Sequence, residues 1–225
     1  MHILNPEDPA RIPTLDRFDS EFSAAGRPPV AIFDFDGVLC APREDLAYKL
    51  PEQPGERKEL CQAARHYGIV PDLYDTPYLR HLTLQAILAD RQTLPEPGPL
   101  LGLARELSLA GRPFFLLTAR SGRAAIDRAL SFLDAHELRP QEIFFVGRVP
   151  KGRQLALVRR TILAPTTLAY FEDSLRHSRN SKLQEVEGLE TFHIDWAEPE
   201  RFAPADLMAE ALAWFMSMRR DRRAA

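Results

Sequence analysis

Residues 32–40 read IFDFDGVLC, a short apolar run that passes directly into two aspartates and a glycine. Asp and Gly are favoured in turns, so Asp34, Asp36 and Gly37 are explained in isolation as the turn that ends a strand. The same residues also suit a reaction centre, because open parallel sheets bind ligands outside the carboxyl ends of their strands. The residues at the other strand ends decide between these two interpretations.

This stretch belongs to a series of short apolar runs that alternate with helical patterns. Each run is too short for a helix and rich in β-branched or aromatic residues, which predicts a strand. The strands are expected at 30–35, 113–118, 142–147, 167–172 and 190–195, and the helices at 98–111, 122–138, 152–163 and 175–188. Such alternation predicts a doubly wound α/β fold with a mostly parallel, five-stranded, Rossmann-like core.

Three segments lie outside this alternation. Residues 1–28 are rich in proline and charge, and we expect an irregular lead-in to a core domain at 29–225. The connection between the first two strands is far longer than a crossover needs, and its part at 41–97 contains helical patterns. This part is predicted to be a small α-helical cap inserted over the carboxyl edge of the sheet. The apolar face of 204–218 predicts a last helix that docks on the sheet.

Composition narrows the class of protein. The net charge of −3 and the 45% share of hydrophobic residues indicate a globular protein without a broad surface for nucleic acid or membrane. Cys40 and Cys61 have neither the spacing of a metal site nor the number of a disulfide framework. The chain has no long apolar segment, and its first residues lack the apolar stretch of a signal peptide. These features predict a cytoplasmic protein.

Four of the five predicted strands end in residues that handle phosphate or a cation. They are Asp34 and Asp36 after the first strand, Thr118 at the second, Lys151 after the third, and Glu172 and Asp173 at the fourth. Carboxylates crowded at one edge repel one another unless a cation neutralises them, and oxygen ligands favour a hard ion such as Mg²⁺. Lys151 and the backbone amides after Thr118 would then face the charge of a bound phosphate.

Four motifs at these strand ends resemble those of a known family. DFDGV, LLTAR, VPKG and FEDS, in this order and spacing, look like the motifs of the haloacid-dehalogenase-type hydrolases, most of which are phosphatases. The resemblance covers the chain from about 30 to 195. It implies an Mg²⁺-dependent phosphomonoester hydrolase that takes a small phosphorylated substrate and works through an aspartyl-phosphate.

The resemblance implies a role for each matching residue. Asp34 would be the nucleophile, and Asp36 would protonate the leaving group and then accept the proton of the hydrolytic water. Mg²⁺ would bind the Asp34 carboxylate, the Asp36 main-chain carbonyl and an acid of the fourth motif. Thr118 would hydrogen-bond a phosphoryl oxygen, and Lys151 would neutralise charge on nucleophile and substrate.

Two neighbouring pairs of residues are less clearly assigned. Ala119 and Arg120 follow Thr118 and complete the predicted substrate-binding set, although Arg120 could equally pair with an acid on the surface. Many relatives place two aspartates several residues apart in the fourth motif, whereas this chain has the adjacent Glu172 and Asp173. Successive strand residues point to opposite sides, so one of the two is expected on the metal. Members with an adjacent acidic pair imply Asp173 there, with Glu172 holding Lys151.

Other functions compete with this one. Residues 147–154, GRVPKGRQ, have two glycines at the separation of a phosphate-binding loop, but Arg153 and Gln154 replace its lysine and hydroxyl, which argues against a kinase or ATPase. A phosphotransferase or phosphomutase would use the same aspartyl-phosphate. A non-catalytic regulatory module of this fold would be expected to lack the nucleophile, which is present. LLTAR with an adjacent acidic pair is similar to polynucleotide 3′-phosphatase domains, which favours a nucleotide or a nucleic-acid terminal phosphate as substrate.

Overall fold

The computed structural model describes residues 1–24, 26–43, 45–147, 149–162, 166–174, 183, 185–196 and 205–224. Within them, the strands are β1 (His2–Leu4), β2 (Val30–Phe33), β3 (Phe114–Thr118), β4 (Glu142–Phe145), β5 (Leu168–Glu172) and β6 (Leu189–Ile194). The α-helices are α1 (Leu15–Phe22), α2 (Glu56–His66), α3 (Thr76–Asp90), α4 (Leu101–Leu109), α5 (Arg123–Ala135), α6 (Lys151–Thr161) and α7 (Ala205–Ala224). Short 3₁₀ helices cover Pro9–Arg11, Asp45–Lys49 and Pro71–Leu73.

The strands form one parallel sheet in the order β1-β6-β5-β2-β3-β4. The α/β prediction is therefore confirmed, and all five predicted strands are present. Because β2 lies between β5 and β3, the order of the strands reverses beside β2, where a parallel sheet opens a crevice for ligands. The helix predicted over 175–188 lies largely outside the described residues.

The N-terminal segment corrects the expectation of an irregular lead-in at 1–28. Strand β1 pairs with β6, with His2 opposite Phe192, and makes the sheet six-stranded. Helix α1 buries Phe18 completely, with its ring centroid 6.1 Å from that of Phe171. A strand of three residues is too short to show a periodicity in sequence, and Phe18 gains its partner only through the tertiary fold.

Successive strand residues divide between two apolar layers, one on each face of the sheet. Ala31 and Phe33 of β2 pack with Phe114 and Leu116 of β3 in one layer, which α1, α4 and α5 cover. Ile32 packs in the other layer, with residues of α6. Alternating side chains of a strand point to opposite faces, so strands buried on both sides are continuously apolar. This apolar sandwich holds the strand ends in place.

The chain divides into two compact units. The first comprises Met1–Ala41, Glu96–Gly122 and Ala129–Ala197; the second comprises Pro42–Pro95, Arg123–Arg128 and Glu198–Ala225. The second unit thus joins most of the segment predicted as an insertion to the C-terminal helix. The function of that segment as a cap stays a prediction.

The C-terminal helix corrects a second expectation. The apolar face of α7 contains Met208, Ala211 and Phe215, which are buried against α2 and α3 instead of against the sheet. An amphipathic helix requires an apolar partner, but its sequence does not specify which one. Within the described residues, no helix combines the length and apolar character needed to cross a membrane.

Candidate active site

The predicted site residues stand at the carboxyl ends of four adjacent strands. Asp34 directly follows β2, Thr118 ends β3, Lys151 begins the helix after β4, and Glu172 ends β5. The register places Phe33 opposite Phe171 and therefore brings the ends of β2 and β5 side by side. Since all four strands run parallel, their polar ends meet at one edge of the first unit.

Asp34, Lys151 and Glu172 form a buried ionic network. Lys151 Nζ donates to Asp34 Oδ2 at 2.5 Å and to Glu172 Oε2 at 2.8 Å, and all three side chains are buried. Asp34 is also held by the main chain, because its amide donates to Phe171 O and its Oδ1 accepts from Phe35 N at 2.7 Å. Hydrogen bonds from its backbone amide and to both carboxylate oxygens therefore hold Asp34, the candidate nucleophile, in place.

Asp173 completes a cluster of three carboxylates. One oxygen each from Asp34, Glu172 and Asp173 lies within 4.8 Å of the others. The approach of Asp173 requires glycine at position 37, where a Cβ would lie 2.1 Å from Asp173 Oδ2. Gly37 also has φ of 74°, a left-handed conformation that favours glycine. The DFDG turn and the FEDS turn therefore touch where the cluster forms.

The cluster has excess negative charge. When ionised, the three carboxylates outnumber the Lys151 ammonium by two. Burial, and then the neighbouring Glu172, raise the pKa of Asp34 well above its usual value, more than Lys151 lowers it. Burial lowers the pKa of Lys151, but Asp34 and Glu172 outweigh it and raise that pKa overall. Lys151 therefore stays charged, and the three carboxylates carry more negative charge than Lys151 can neutralise.

The carboxylates differ in how their oxygens are engaged. Glu172 Oε2 accepts hydrogen bonds from Lys151 and from the Tyr170 hydroxyl, and Oε1 accepts from Ser174 N at 3.0 Å. Glu172 therefore serves Lys151, the contact that the resemblance implies. Asp34 accepts fewer hydrogen bonds than Glu172, so it has more acceptor capacity for a cation, and its oxygens suit a hard divalent ion. Asp173 as the acid of the fourth motif on the metal stays a prediction. The Asp36 carbonyl as a further ligand stays a prediction.

Asp36 lies in a second ion pair of the same unit, with Arg120. Arg120 Nε donates to Asp36 Oδ2 at 2.9 Å, and its NH2 group donates to Oδ1 at 2.7 Å. The acid that pairs with this arginine is therefore the predicted proton-transfer residue, and in this pair Arg120 is buried and Asp36 is partly buried. Cys40, which the structure buries, also places its Sγ 3.5 Å from Asp36 Oδ1.

The remaining predicted substrate ligands lie beside this pair. Thr118 is fully buried, and its Oγ1 accepts from Arg120 N at 3.2 Å. The Thr118 carbonyl accepts from Val146 N, which extends the pairing of β3 and β4. Ala119 is exposed in the loop that connects β3 to α5. The backbone amide of Arg120, one of those expected to face phosphate, is thus engaged by the Thr118 hydroxyl.

Two residues that support the site were not predicted from the sequence. The Tyr170 hydroxyl donates to Glu172, and Trp196 Nε1 donates to Gly37 O at 2.9 Å. Tyr170 could have been found, because residues two apart on a strand point to the same face. Trp196 lies far from Gly37 along the chain, and no local pattern signals the contact. Burial, and then Glu172, raise the pKa of the Tyr170 hydroxyl well above its usual value, which keeps it a donor.

Comparisons with known proteins do not assign this chain to a family. No protein-family model matches the chain, and no curated protein matches it. A solved structure that does match is a haloacid-dehalogenase-like family hydrolase from Streptococcus pneumoniae. The match has 18% sequence identity and a TM-score of 0.41, and it covers 83% of this chain and 98% of that one. At these values the likeness supports no conclusion about the fold or the activity of this chain.

Proposed function

We propose that this chain is an Mg²⁺-dependent phosphomonoester hydrolase that works through a phosphorylated Asp34. The supporting observation is the buried cluster in which one lysine meets three carboxylates at the carboxyl edge of the sheet. Its excess negative charge suits a divalent cation, and phosphate chemistry at a carboxylate needs such a cation to offset the repulsion between the two anions.

The cation would be held by Asp34 and Asp173, with Glu172 retained by Lys151. This choice follows from the number of hydrogen bonds, since Glu172 accepts them from Lys151, Tyr170 and Ser174 N, whereas Asp34 accepts one on each oxygen. Mg²⁺, when bound, supplies positive charge that favours the ionised form of Asp34 and offsets the charge of the phosphate. The raised pKa of Asp34 in the metal-free protein is consistent with a site that binds a cation.

The hydrogen bonds of Asp34 hold its carboxylate in one orientation, which would favour its role as the nucleophile. Phe35 N and Lys151 Nζ each hold one of its oxygens, so little freedom is lost when it attacks. In the first step, a carboxylate oxygen of Asp34 forms a bond to phosphorus, the ester P–O bond breaks, and Asp36 transfers a proton to the departing oxygen. Lys151 offsets the charge that gathers around the phosphoryl group.

The second step returns the enzyme to its first state. Asp36 accepts a proton from water, the water oxygen forms a bond to phosphorus, and the bond between phosphorus and Asp34 breaks. Inorganic phosphate leaves, and the Asp34 carboxylate is regenerated. Asp36 thus gives a proton in one step and receives one in the next. The preference for a nucleotide or nucleic-acid end as substrate rests on motif resemblance alone.

A panel of phosphorylated metabolites, nucleotides and 3′- or 5′-phosphorylated oligonucleotides tests the proposal with and without Mg²⁺. We expect phosphate release that EDTA abolishes and Asp34→Asn removes. Borohydride reduction of an acid-quenched reaction should convert residue 34 of the wild type to homoserine, which mass spectrometry detects. Asp72→Asn, the same change at an exposed aspartate, serves as the control.

Two results would contradict the proposal. Phosphate release by Asp34→Asn at the wild-type rate would exclude Asp34 as nucleophile, and no release from any ester with Mg²⁺ would exclude the hydrolase. Adding a small alcohol separates hydrolysis from transfer. A hydrolase keeps phosphate as its main product, whereas a phosphotransferase passes the phosphoryl group to the alcohol.

A further inference from the structure

The Asp36–Arg120 pair has the geometry of a two-point clamp. Nε and NH2 of one guanidinium meet the two oxygens of one carboxylate, at 2.9 and 2.7 Å. The Arg120 side chain is 3% exposed and that of Asp36 17% exposed, so solvent hardly screens the pair. Paired, parallel hydrogen bonds of this kind fix orientation as well as distance, because the planar fork matches the carboxylate.

Arg120 is itself held in place on two further sides. Its guanidinium carbon lies 4.6 Å from the centroid of the Phe35 ring, within the range of a cation–π contact. The Phe35 ring is fully buried and packs edge-on against Phe132, with centroids 5.2 Å apart. At the backbone, Arg120 N donates to Thr118 Oγ1. Because the Arg120 side chain is constrained in this way, its hydrogen bonds can fix the orientation of the Asp36 carboxylate.

We infer that Arg120 is a positioning residue, which orients the Asp36 carboxylate for proton transfer and is not a principal ligand of the substrate phosphate. The inference rests on the proposed hydrolase function and adds a residue role to it. Each carboxylate oxygen has two lone pairs, and the clamp uses one on each, while Cys40 Sγ lies 3.5 Å from Oδ1. The two hydrogen bonds from Arg120 thus fix the plane of the carboxylate without using both lone pairs of either oxygen. Proton transfer depends strongly on such placement, since a general acid or base must lie within hydrogen-bond reach.

A phosphate ligand and a positioning residue differ in which substrates they affect. An alkyl phosphate needs a proton on its leaving oxygen, whereas 4-nitrophenolate leaves without one. Arg120→Gln should therefore lower kcat for an alkyl phosphate by about 10²-fold, a typical contribution of acid–base catalysis. With 4-nitrophenyl phosphate the first step should survive, giving a burst of nitrophenol followed by slow turnover. Loss of a phosphate ligand would instead raise KM for both substrates and remove the burst.

A double-mutant cycle gives a second, independent readout. If Arg120 acts through Asp36, adding Arg120→Gln to Asp36→Asn should change the kcat for the alkyl phosphate less than twofold. If the fold-losses in kcat of the two single variants multiplied in the double variant, the inference would be overturned, because Arg120 would then act on the substrate independently of Asp36. The double variant also removes both charges of the pair, so it lacks the unpaired Asp36 carboxylate that destabilises Arg120→Gln alone.

Two further variants complete the experiment. Arg120→Lys keeps the charge but not the fork, and we expect it to stay impaired for the alkyl phosphate; full rescue would overturn positioning by the clamp. Arg139→Gln, at a side chain 65% exposed in the same unit, controls for loss of an arginine. If the wild type released no phosphate from any ester, the hydrolase proposal would fail. If the enzyme were active but the fold-losses of the two single variants multiplied, only the role assigned to Arg120 would be overturned.

Discussion

The Asp173 carboxylate lies in the space that a side chain on Gly37 would occupy. A Cβ there would come within 2.1 Å of Asp173 Oδ2 and 2.6 Å of its Cβ. The turn after β2 and the turn after β5 thus approach each other only because residue 37 has no side chain. Gly37 of the first motif therefore allows Asp173 of the fourth motif, the proposed cation ligand, to take its position.

Gly37→Ala should therefore impair cation binding as well as stability. The left-handed backbone costs any other residue about 1–2 kcal/mol, and the clash additionally displaces Asp173. We expect Mg²⁺ to bind more weakly in isothermal titration and phosphate release to fall. Gly111→Ala is the matched control, since Gly111 also has a positive φ but nothing within 4 Å of its Cβ position. Equal effects of the two variants on Mg²⁺ affinity would contradict the role given to Asp173.

The raised pKa of Asp34 predicts how stability depends on pH in the metal-free protein. The folded state disfavours ionised Asp34, so the cost is absent below the usual pKa of 3.8 and grows as the pH rises above it. Asp34→Asn removes this cost. We expect the unfolding free energy of the variant, relative to wild type, to increase with pH by at most about 1.4 kcal/mol per unit.

Urea unfolding in EDTA at several pH values measures this difference. Added Mg²⁺ should reduce the pH dependence of the wild type, because a cation offsets the charge of the ionised carboxylate. A relative stability of Asp34→Asn that falls as the pH rises would show that Lys151 outweighs burial, contrary to the expected direction.

Lys151→Met tests the charge balance of the cluster. Removing one partner of a buried ionic network commonly costs about 3–5 kcal/mol, and here it leaves three carboxylates without their ammonium. We expect loss of phosphate release and an unfolding temperature that Mg²⁺ raises more in the variant than in wild type. Lys58→Met, at an exposed lysine, is the control. A smaller effect of Mg²⁺ on Lys151→Met than on wild type would count against a cation site here.

Tyr170→Phe tests the support beneath Glu172. The variant keeps the buried ring but removes the hydroxyl that donates to Glu172. A hydrogen bond to a charged group contributes about 1.5–3 kcal/mol, so urea unfolding should show a loss in that range. Tyr67→Phe removes a hydroxyl that donates to Asp90 near the surface, and we expect it to cost less. Equal losses would mean that Glu172 is held without Tyr170.

Local patterns in the sequence were sufficient for the strands that carry the site. Residues 114–117 are apolar at every position, as expected for β3, which is buried on both faces. The strand ends were predicted to within a few residues, and Gly111 does end its helix with φ of 64°. Strand β1 could not be predicted from the sequence because three residues show no periodicity, and β1 forms through its pairing with β6.

The amino-acid sequence by itself therefore determined the α/β class and the strand ends at which the polar residues stand. Only the tertiary structure decided which of these residues meet. Arg120 grips Asp36, Glu172 retains Lys151, and Asp173 approaches Gly37, all across large separations along the chain. Periodicity reports the burial of a residue within its own element, whereas such pairings depend on how parallel strands align and where their turns converge.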